Sequence, residues 1–149
     1  MVFTPHMLVG AAIGSQLDNI WLAFLLSLIG HYLVDMIPHW EYKAAVIKRP
    51  IHVVWLLTDG LLGFSIILFL LWGQLFPLNY KTLVITGSVF LAQLPDLILF
   101  LELNFKTKWT RLLNRMHHRI HNDKEPSFLK ALPGLAIVVS ISILIILWG

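Results

Sequence analysis

The chain has 149 residues, of which 58% are hydrophobic and 13% are charged, and it carries a net charge of +3 with its histidines neutral. Soluble domains are typically about 45–50% apolar and about 25% charged, so this composition excludes an ordinary soluble domain. The chain has no cysteine, which excludes thiolate ligands and leaves His, Asp and Glu as candidate metal ligands. The sequence predicts an all-α, polytopic integral membrane bundle that forms a single domain over residues 1–149.

Five apolar stretches follow one another along the chain. The first, residues 7–17, is short and rich in Gly and Ala, which predicts a re-entrant or protein-buried helix. The other four are long enough to cross a hydrocarbon core of about 30 Å, which needs roughly 20 helical residues. These four predicted transmembrane helices cover approximately residues 20–37, 51–72, 83–103 and 128–148.

Basic residues are concentrated in the connections that follow the first and third predicted spans. Three lie in the earlier connection, and the later one, over residues 104–127, is strongly basic. By the positive-inside rule, both connections are expected on the cytoplasmic side of a cell inner membrane. The sequence therefore predicts a multi-pass inner-membrane protein with its basic loops in the cytoplasm.

The stretch GHYLVDMIPHW, at the end of the first predicted span, carries three residues suited to metal binding. His31 and Asp35 lie one helical turn apart, and His39 follows Pro38. An ionisable side chain at the bilayer centre costs about 2.5–3.5 kcal/mol, so such residues usually face a partner or a polar cavity. The pattern is consistent with shared ligands of one metal ion, and equally with a hydrogen-bonded pair that fixes two helices.

Two further carboxylates lie in the second and third predicted spans. Asp59 is too deep to reach the membrane surface, and its depth matches that of His31, which predicts that the two helices meet there. The carboxylates of Asp35 and Asp59 would repel each other unless a cation or a shared proton lay between them, and we favour the cation. Asp96 follows Pro95 and is a candidate ligand or general base, or else a cap for a neighbouring helix.

Residues 109–122, WTRLLNRMHHRIHN, combine an apolar stripe with basic residues on the opposite side. This pattern predicts an amphipathic helix in the membrane surface, with Arg115 and Arg119 available to anionic headgroups or a substrate phosphate. His117 and His121 are four residues apart, a spacing suited to one metal ion. An interfacial helix with incidental histidines explains the same pattern.

The residues HYLVDMIPH, 31–39, resemble the signature of zinc-dependent phospholipases C and P1-type nucleases, in which the His and Asp are zinc ligands. The chain also resembles the YdjM-like inner-membrane metal-dependent hydrolases, which have an early Thr-His segment, a Leu-Pro-Asp motif and a late His motif. The counterparts here are residues 4–6, ending in His6, residues 94–96 and residues 118–121. The resemblance implies hydrolysis of phosphate esters with one or two bound metal ions.

Together, the residues and the resemblance predict a membrane-embedded hydrolase of a phosphate ester in a lipid or lipid-linked molecule. The expected cofactor is a divalent metal, zinc first, with manganese or iron as alternatives. The expected partners are membrane lipids and anionic headgroups, not nucleic acid. The candidate metal ligands are His6, His31, Asp35, His39, Asp59, His117 and His121, the candidate catalytic residues are Asp59 and Asp96, and the candidate phosphate contacts are Arg115 and Arg119.

Two other functions fit the same residues. A transporter of protons or divalent ions would also need buried His and Asp residues, although the outer halves of the predicted spans carry few polar residues. A non-catalytic membrane adaptor would use the basic inner loop to bind a protein or anionic lipid.

Overall fold

The computed structural model describes residues 3–37, 50–105 and 128–149. Of these residues, 91% are helical, and no strand occurs among them, which confirms the all-α fold class. The described helices, in chain order, are α1 (Phe3–Gln16), α2 (Ile20–Asp35), α3 (Pro50–Leu75), α4 (Tyr80–Phe105) and α5 (Phe128–Trp148).

Three of these helices are long and apolar enough to cross a membrane, namely α3 over Ile51–Leu75, α4 over Tyr80–Leu103 and α5 over Leu129–Trp148. The fold therefore agrees with a membrane bundle, but the prediction of four spans is wrong. Helix α2 was expected to be the first span and has only 16 residues. At 1.5 Å per residue it is about 24 Å long, which is shorter than a hydrocarbon core of about 30 Å.

Helix α1 is short and lies at the centre of the bundle, where it contacts each of the other four described helices. Leu8 and Ala11 in its middle are completely buried. The prediction of a short, protein-buried N-terminal helix is confirmed, although the helix begins at Phe3 rather than at residue 7. Pro5 is tolerated because it lies in the first turn, where a backbone N–H has no intrahelical acceptor.

Two glycines of α1 allow it to approach α4 very closely. A methyl group at Gly10 would lie 2.6 Å from the carbonyl oxygen of Ser88, and one at Gly14 would lie 2.8 Å from the Cα atom of Ile85. Both neighbours are backbone atoms, so a side chain at either glycine would push the two helices apart. The Gly-x-x-x-Gly spacing thus determines the contact between α1 and α4.

The same contacts show that α1 and α4 run in opposite directions. Gly14 faces Ile85, whereas Gly10, one turn nearer the start of α1, faces Ser88 and Ala92, further along α4. One turn before Gly10 lies the first turn of α1, and it is level with the second half of α4, beyond Ala92. The candidate site lies at this level.

Candidate metal centre

Two histidines and two aspartates meet where α1, α2 and α4 pack together. These residues are His6 on α1, His31 and Asp35 on α2, and Asp96 on α4, and none is more than 2% exposed. One ligand atom each from His6, His31 and Asp96 lies within 4.8 Å of the other two. We call these four residues the His–Asp cluster.

Asp35 is the residue that joins the two histidines. Its Oδ1 atom lies 3.3 Å from Nε2 of His6, and its Oδ2 atom lies 3.0 Å from Nε2 of His31. Within α2, the spacing of four residues places His31 and Asp35 on one face of the helix. Gly30 lets α2 approach α1 closely, since a methyl group there would lie 2.9 Å from a methyl carbon of Val9. The helical spacing predicts that His31 and Asp35 face the same way, and the structure places the two side chains in direct contact.

The ring of His31 is held in one orientation by α4. Its Nδ1 atom lies 2.7 Å from the backbone carbonyl oxygen of Ala92. A carbonyl oxygen only accepts hydrogen bonds, so Nδ1 carries a proton and Nε2 faces the carboxylate of Asp35. In a neutral imidazole that Nε2 atom is an acceptor, and two acceptors 3.0 Å apart need a proton or a cation between them. A metal ligand histidine commonly has this arrangement, in which its other ring N–H is donated to a backbone carbonyl.

The Leu-Pro-Asp motif of α4, residues 94–96, explains how this helix supplies two groups to the His–Asp cluster. Pro95 has no N–H, so the carbonyl of Leu91 lacks its usual intrahelical donor and the hydrogen-bond ladder is interrupted at this point of the helix. The next carbonyl, that of Ala92, accepts the hydrogen bond from His31, and the residue after the proline, Asp96, joins the cluster. The prediction that Asp96 lies at the site is therefore supported by its position.

The donor atoms of the cluster fit a divalent metal ion. Imidazole nitrogens and carboxylate oxygens are ligands of zinc, and they also suit manganese and iron. Ligand atoms about 2.1 Å from a tetrahedral metal lie about 3.4 Å from one another. The contacts of Asp35 with His6 and His31 are close to this value, at 3.3 and 3.0 Å. The same two distances also fit a metal-free network in which Asp35 accepts a hydrogen bond from each histidine.

The two imidazoles are close enough to restrict each other's charge. The ring centroids of His6 and His31 are 4.3 Å apart, so two protonated rings would repel each other strongly. Burial lowers the pKa of His6 below its ordinary value, and the hydrogen bond with Asp35 opposes this change. The neutral imidazole is the form that binds a metal ion.

Asp59 has a different contact from the predicted one. Its carboxylate accepts hydrogen bonds from the backbone N–H groups of Phe3 and Thr4, the latter at 3.3 Å, and from the Thr4 hydroxyl at 2.6 Å. Helix α1 packs against both α2 and α3, and Asp59 contacts the start of α1, whereas the group of possible ligands comprises His6, His31 and Asp96. We therefore correct the expectation that Asp59 completes the ligand set: its carboxylate caps the start of α1.

Sequence reasoning included His6 among the candidate ligands but did not identify Thr4 or Ala92 as supporting residues. The signal for His6 and Thr4 was the early Thr-Pro-His segment. Threonine and proline are both common at the start of a helix, so this segment predicts a helix that begins beside His6. A backbone acceptor such as the Ala92 carbonyl has no signal in the sequence beyond the proline that follows it.

The other candidate site residues, His39, His117, His121, Arg115 and Arg119, lie outside the described residues, as does the predicted amphipathic helix. Their roles stay predictions.

The described residues define an all-helical bundle with three candidate membrane spans and a buried His–Asp cluster at the junction of three helices. Comparison of the chain with protein-family models, curated proteins and solved structures gives no match. The resemblance to the YdjM-like hydrolases stays a prediction.

Proposed function

We propose that this protein is a metal-dependent hydrolase of the cell inner membrane that cleaves a phosphate ester in a lipid or lipid-linked molecule. The observation that carries the proposal is the meeting of His6, His31, Asp35 and Asp96 from three helices at one buried point. Ionisable side chains are expensive to bury in a membrane protein, and they usually serve a partner, a pathway or a reaction.

In this proposal His6 and His31 would hold the metal ion together with Asp35, Asp96 or both. A bound divalent ion would lower the pKa of a water molecule and polarise a phosphoryl oxygen. The hydrogen bond from His31 to Ala92 keeps the imidazole in the orientation and tautomer that ligation needs. Asp96 is either a further ligand or the general base that takes a proton from the attacking water.

The proposed orientation follows from the distribution of basic residues along the chain. We expect the basic connections on the cytoplasmic side, with Arg115 and Arg119 near the lipid phosphate. The cluster lies toward the end of α2 and in the second half of α4, which lead into those connections. A lipid headgroup at the cytoplasmic surface would then be close to the metal ion.

A transporter of protons or divalent ions is the second candidate, and one observation favours it. Ser27 and Ser88 are completely buried, and their hydroxyl groups have no hydrogen-bond partner among the described residues. Ser27 lies one helical turn before His31 on α2, and Ser88 lies two turns before Asp96 on α4. These two hydroxyl groups are buried polar groups that lie beyond the cluster along α2 and α4. A path for an ion or a proton requires such a row of polar groups.

The test is an assay of the purified protein in vesicles that contain phosphatidic acid, phosphatidylglycerol and phosphatidylethanolamine. A hydrolase should release phosphate or a phosphorylated headgroup, lose this activity on chelation and regain it with zinc, manganese or iron. Asp35→Asn should reduce the rate at least about 100-fold, because it removes a negatively charged ligand. The matched control is Asp18→Asn, since the Asp18 side chain is 91% exposed and forms its 3.0 Å ion pair with Lys81 outside the cluster.

Two results would contradict the proposal. Absence of hydrolysis with all three metal ions and all three lipids would exclude the proposed activity on these headgroups. Metal or proton flux into sealed vesicles, lost in Asp35→Asn and without any hydrolysis, would establish the transporter instead.

A further inference from the structure

The first turn of α1 is held from two sides by residues outside the His–Asp cluster. On α3, Asp59 accepts hydrogen bonds from the N–H groups of Phe3 and Thr4, and the Thr4 hydroxyl lies 2.8 Å from the Asp59 carbonyl oxygen. On α4, the side-chain amide of Gln93 donates to the Phe3 carbonyl oxygen at 2.8 Å. His6 follows Thr4 by only two residues, so these contacts lie directly beside a candidate metal ligand.

This cap differs from the usual arrangement because its carboxylate comes from a distant part of the chain. A cap normally belongs to the residue just before the helix and satisfies the first N–H groups without fixing the helix relative to its neighbours. Asp59 is 55 residues from Thr4 and lies on another helix. It therefore satisfies the same groups and also fixes the start of α1 against α3. The negative charge at the positive end of the helix dipole adds to this attraction.

Contacts at the end of α1 help to fix the position of the helix along its own axis. Gly10 and Gly14 bring α1 close to α4 but offer no side chains that interlock with α4. A shift of α1 by a single residue would move His6 by about 1.5 Å. Metal–ligand distances vary by only about 0.2 Å, so a much smaller shift would remove His6 from the ligand set.

We propose that Asp59 is a positioning residue that holds the first turn of α1 where His6 can share a metal ion with His31 and Asp35. This inference rests on the proposed function, since it requires the His–Asp cluster to bind a metal. Asp59 itself does not touch the metal. Its removal should weaken metal binding through the displacement of His6.

The test is a titration of the full-length, metal-free protein with Co²⁺ in detergent, followed by visible absorption. The bands of bound Co²⁺ depend on the number and kind of ligands, so they report the loss of one imidazole even in a folded protein. Asp59→Asn keeps the size of the side chain but replaces one acceptor by an NH₂ group that faces backbone N–H donors. We expect the Kd for Co²⁺ to rise at least about 10-fold and the spectrum to resemble that of His6→Ala. Asp59→Glu retains both acceptors and should restore part of the affinity.

Matched threonine variants separate positioning from general stability. Thr4 and Thr82 are both buried, and each hydroxyl lies near a backbone carbonyl, that of Asp59 at 2.8 Å and that of Leu75 at 3.0 Å. Thr4→Val should weaken Co²⁺ binding and alter its spectrum in the same direction as Asp59→Asn. Thr82→Val should lower the Tm similarly and leave both the affinity and the spectrum of bound Co²⁺ unchanged.

The possible outcomes distinguish this inference from the proposed function. If the wild-type protein binds Co²⁺ and folded Asp59→Asn and Thr4→Val bind it with the same affinity and spectrum, the positioning role is excluded while the metal site stands. If Asp59→Asn does not fold, the positioning role is tested by the threonine variants alone. It is supported if only Thr4→Val weakens Co²⁺ binding, and it is excluded if Thr4→Val and Thr82→Val bind Co²⁺ equally well. If the wild-type protein binds no Co²⁺, both the metal site and the positioning role are excluded.

Discussion

The imidazole of His31 donates from Nδ1 to the backbone carbonyl oxygen of Ala92, and the two atoms are 2.7 Å apart. This hydrogen bond joins α2 to α4 and leaves Nε2 of His31 facing Asp35. A side chain held in this way can act as a metal ligand without reorientation. His31 is therefore the residue whose removal should have the largest and most specific effect.

Replacement of His31 by Ala should raise the Kd for zinc at least about 100-fold, because it removes a ligand whose orientation is already fixed. Isothermal titration calorimetry of the purified protein would measure the change. Tyr32→Phe is the matched control, since Tyr32 is the next residue on α2 and its ring contacts that of His31 edge-on at 5.4 Å. Equal zinc affinity in His31→Ala and the wild type would place the metal elsewhere.

Replacement of Gly14 by Ala should destabilise the bundle by about 1–3 kcal/mol, because the added methyl group would overlap the α4 backbone and force the helices apart. A methyl group at Gly73 would meet nothing within 4 Å, so Gly73→Ala should be neutral or stabilise the protein by up to about 1 kcal/mol. Thermal unfolding in detergent, followed by circular dichroism, would compare the two variants. Equal Tm values would show that α1 and α4 are not in close contact.

Replacement of Ser88 by Ala should leave the free energy of unfolding unchanged or increase it slightly. Its buried hydroxyl has no partner within the part of the chain that the structure describes, so its removal relieves a desolvation cost. Ser142→Ala is the control, since the Ser142 hydroxyl donates to the Val138 carbonyl at 2.8 Å and its loss should cost about 0.5–1.5 kcal/mol. If Ser88→Ala proves as destabilising as Ser142→Ala, the Ser88 hydroxyl has a partner, such as a buried water molecule.

The orientation of the bundle can be tested with single cysteines, because the natural chain has none. Asp18 and Lys81 form an ion pair of 3.0 Å, which places the α1–α2 turn at the same end of the bundle as the α3–α4 turn. A membrane-impermeant maleimide should therefore label Asp18→Cys and Asn79→Cys from the same side of sealed vesicles. Lys48→Cys, in a basic connection, should react only from the other side. Labelling of all three from one side would contradict the proposed orientation.

Much of the fold could be predicted from the length of the apolar runs. The fourth predicted span, 128–148, coincides with α5, and the runs at 51–72 and 83–103 are each extended by a few residues at their ends in α3 and α4. The wrong prediction was the transmembrane span over residues 20–37. The apolar run continues beyond Asp35, where helix α2 ends. Hydropathy measures the length of an apolar run, whereas a span requires that the run be one continuous helix.

The candidate site was predictable where its residues share a helix. His31 and Asp35 are four residues apart on α2, so their pairing follows from helical spacing. His6 joins them from another helix, and no spacing in the sequence indicates that contact. Asp59 was assigned to the site by depth alone. Depth does not specify the direction in which a side chain projects, and Asp59 contacts the start of α1.

The metal content of the purified protein, measured by inductively coupled plasma mass spectrometry, tests the central claim most directly. The proposed site predicts about one zinc, manganese or iron ion per wild-type chain, or at most two, and loss of the metal in His6→Ala and Asp35→Asn. A wild-type protein that contains no metal, and takes up none when these ions are added, would contradict the account. The His–Asp cluster would then be a hydrogen-bonded network that holds three helices together.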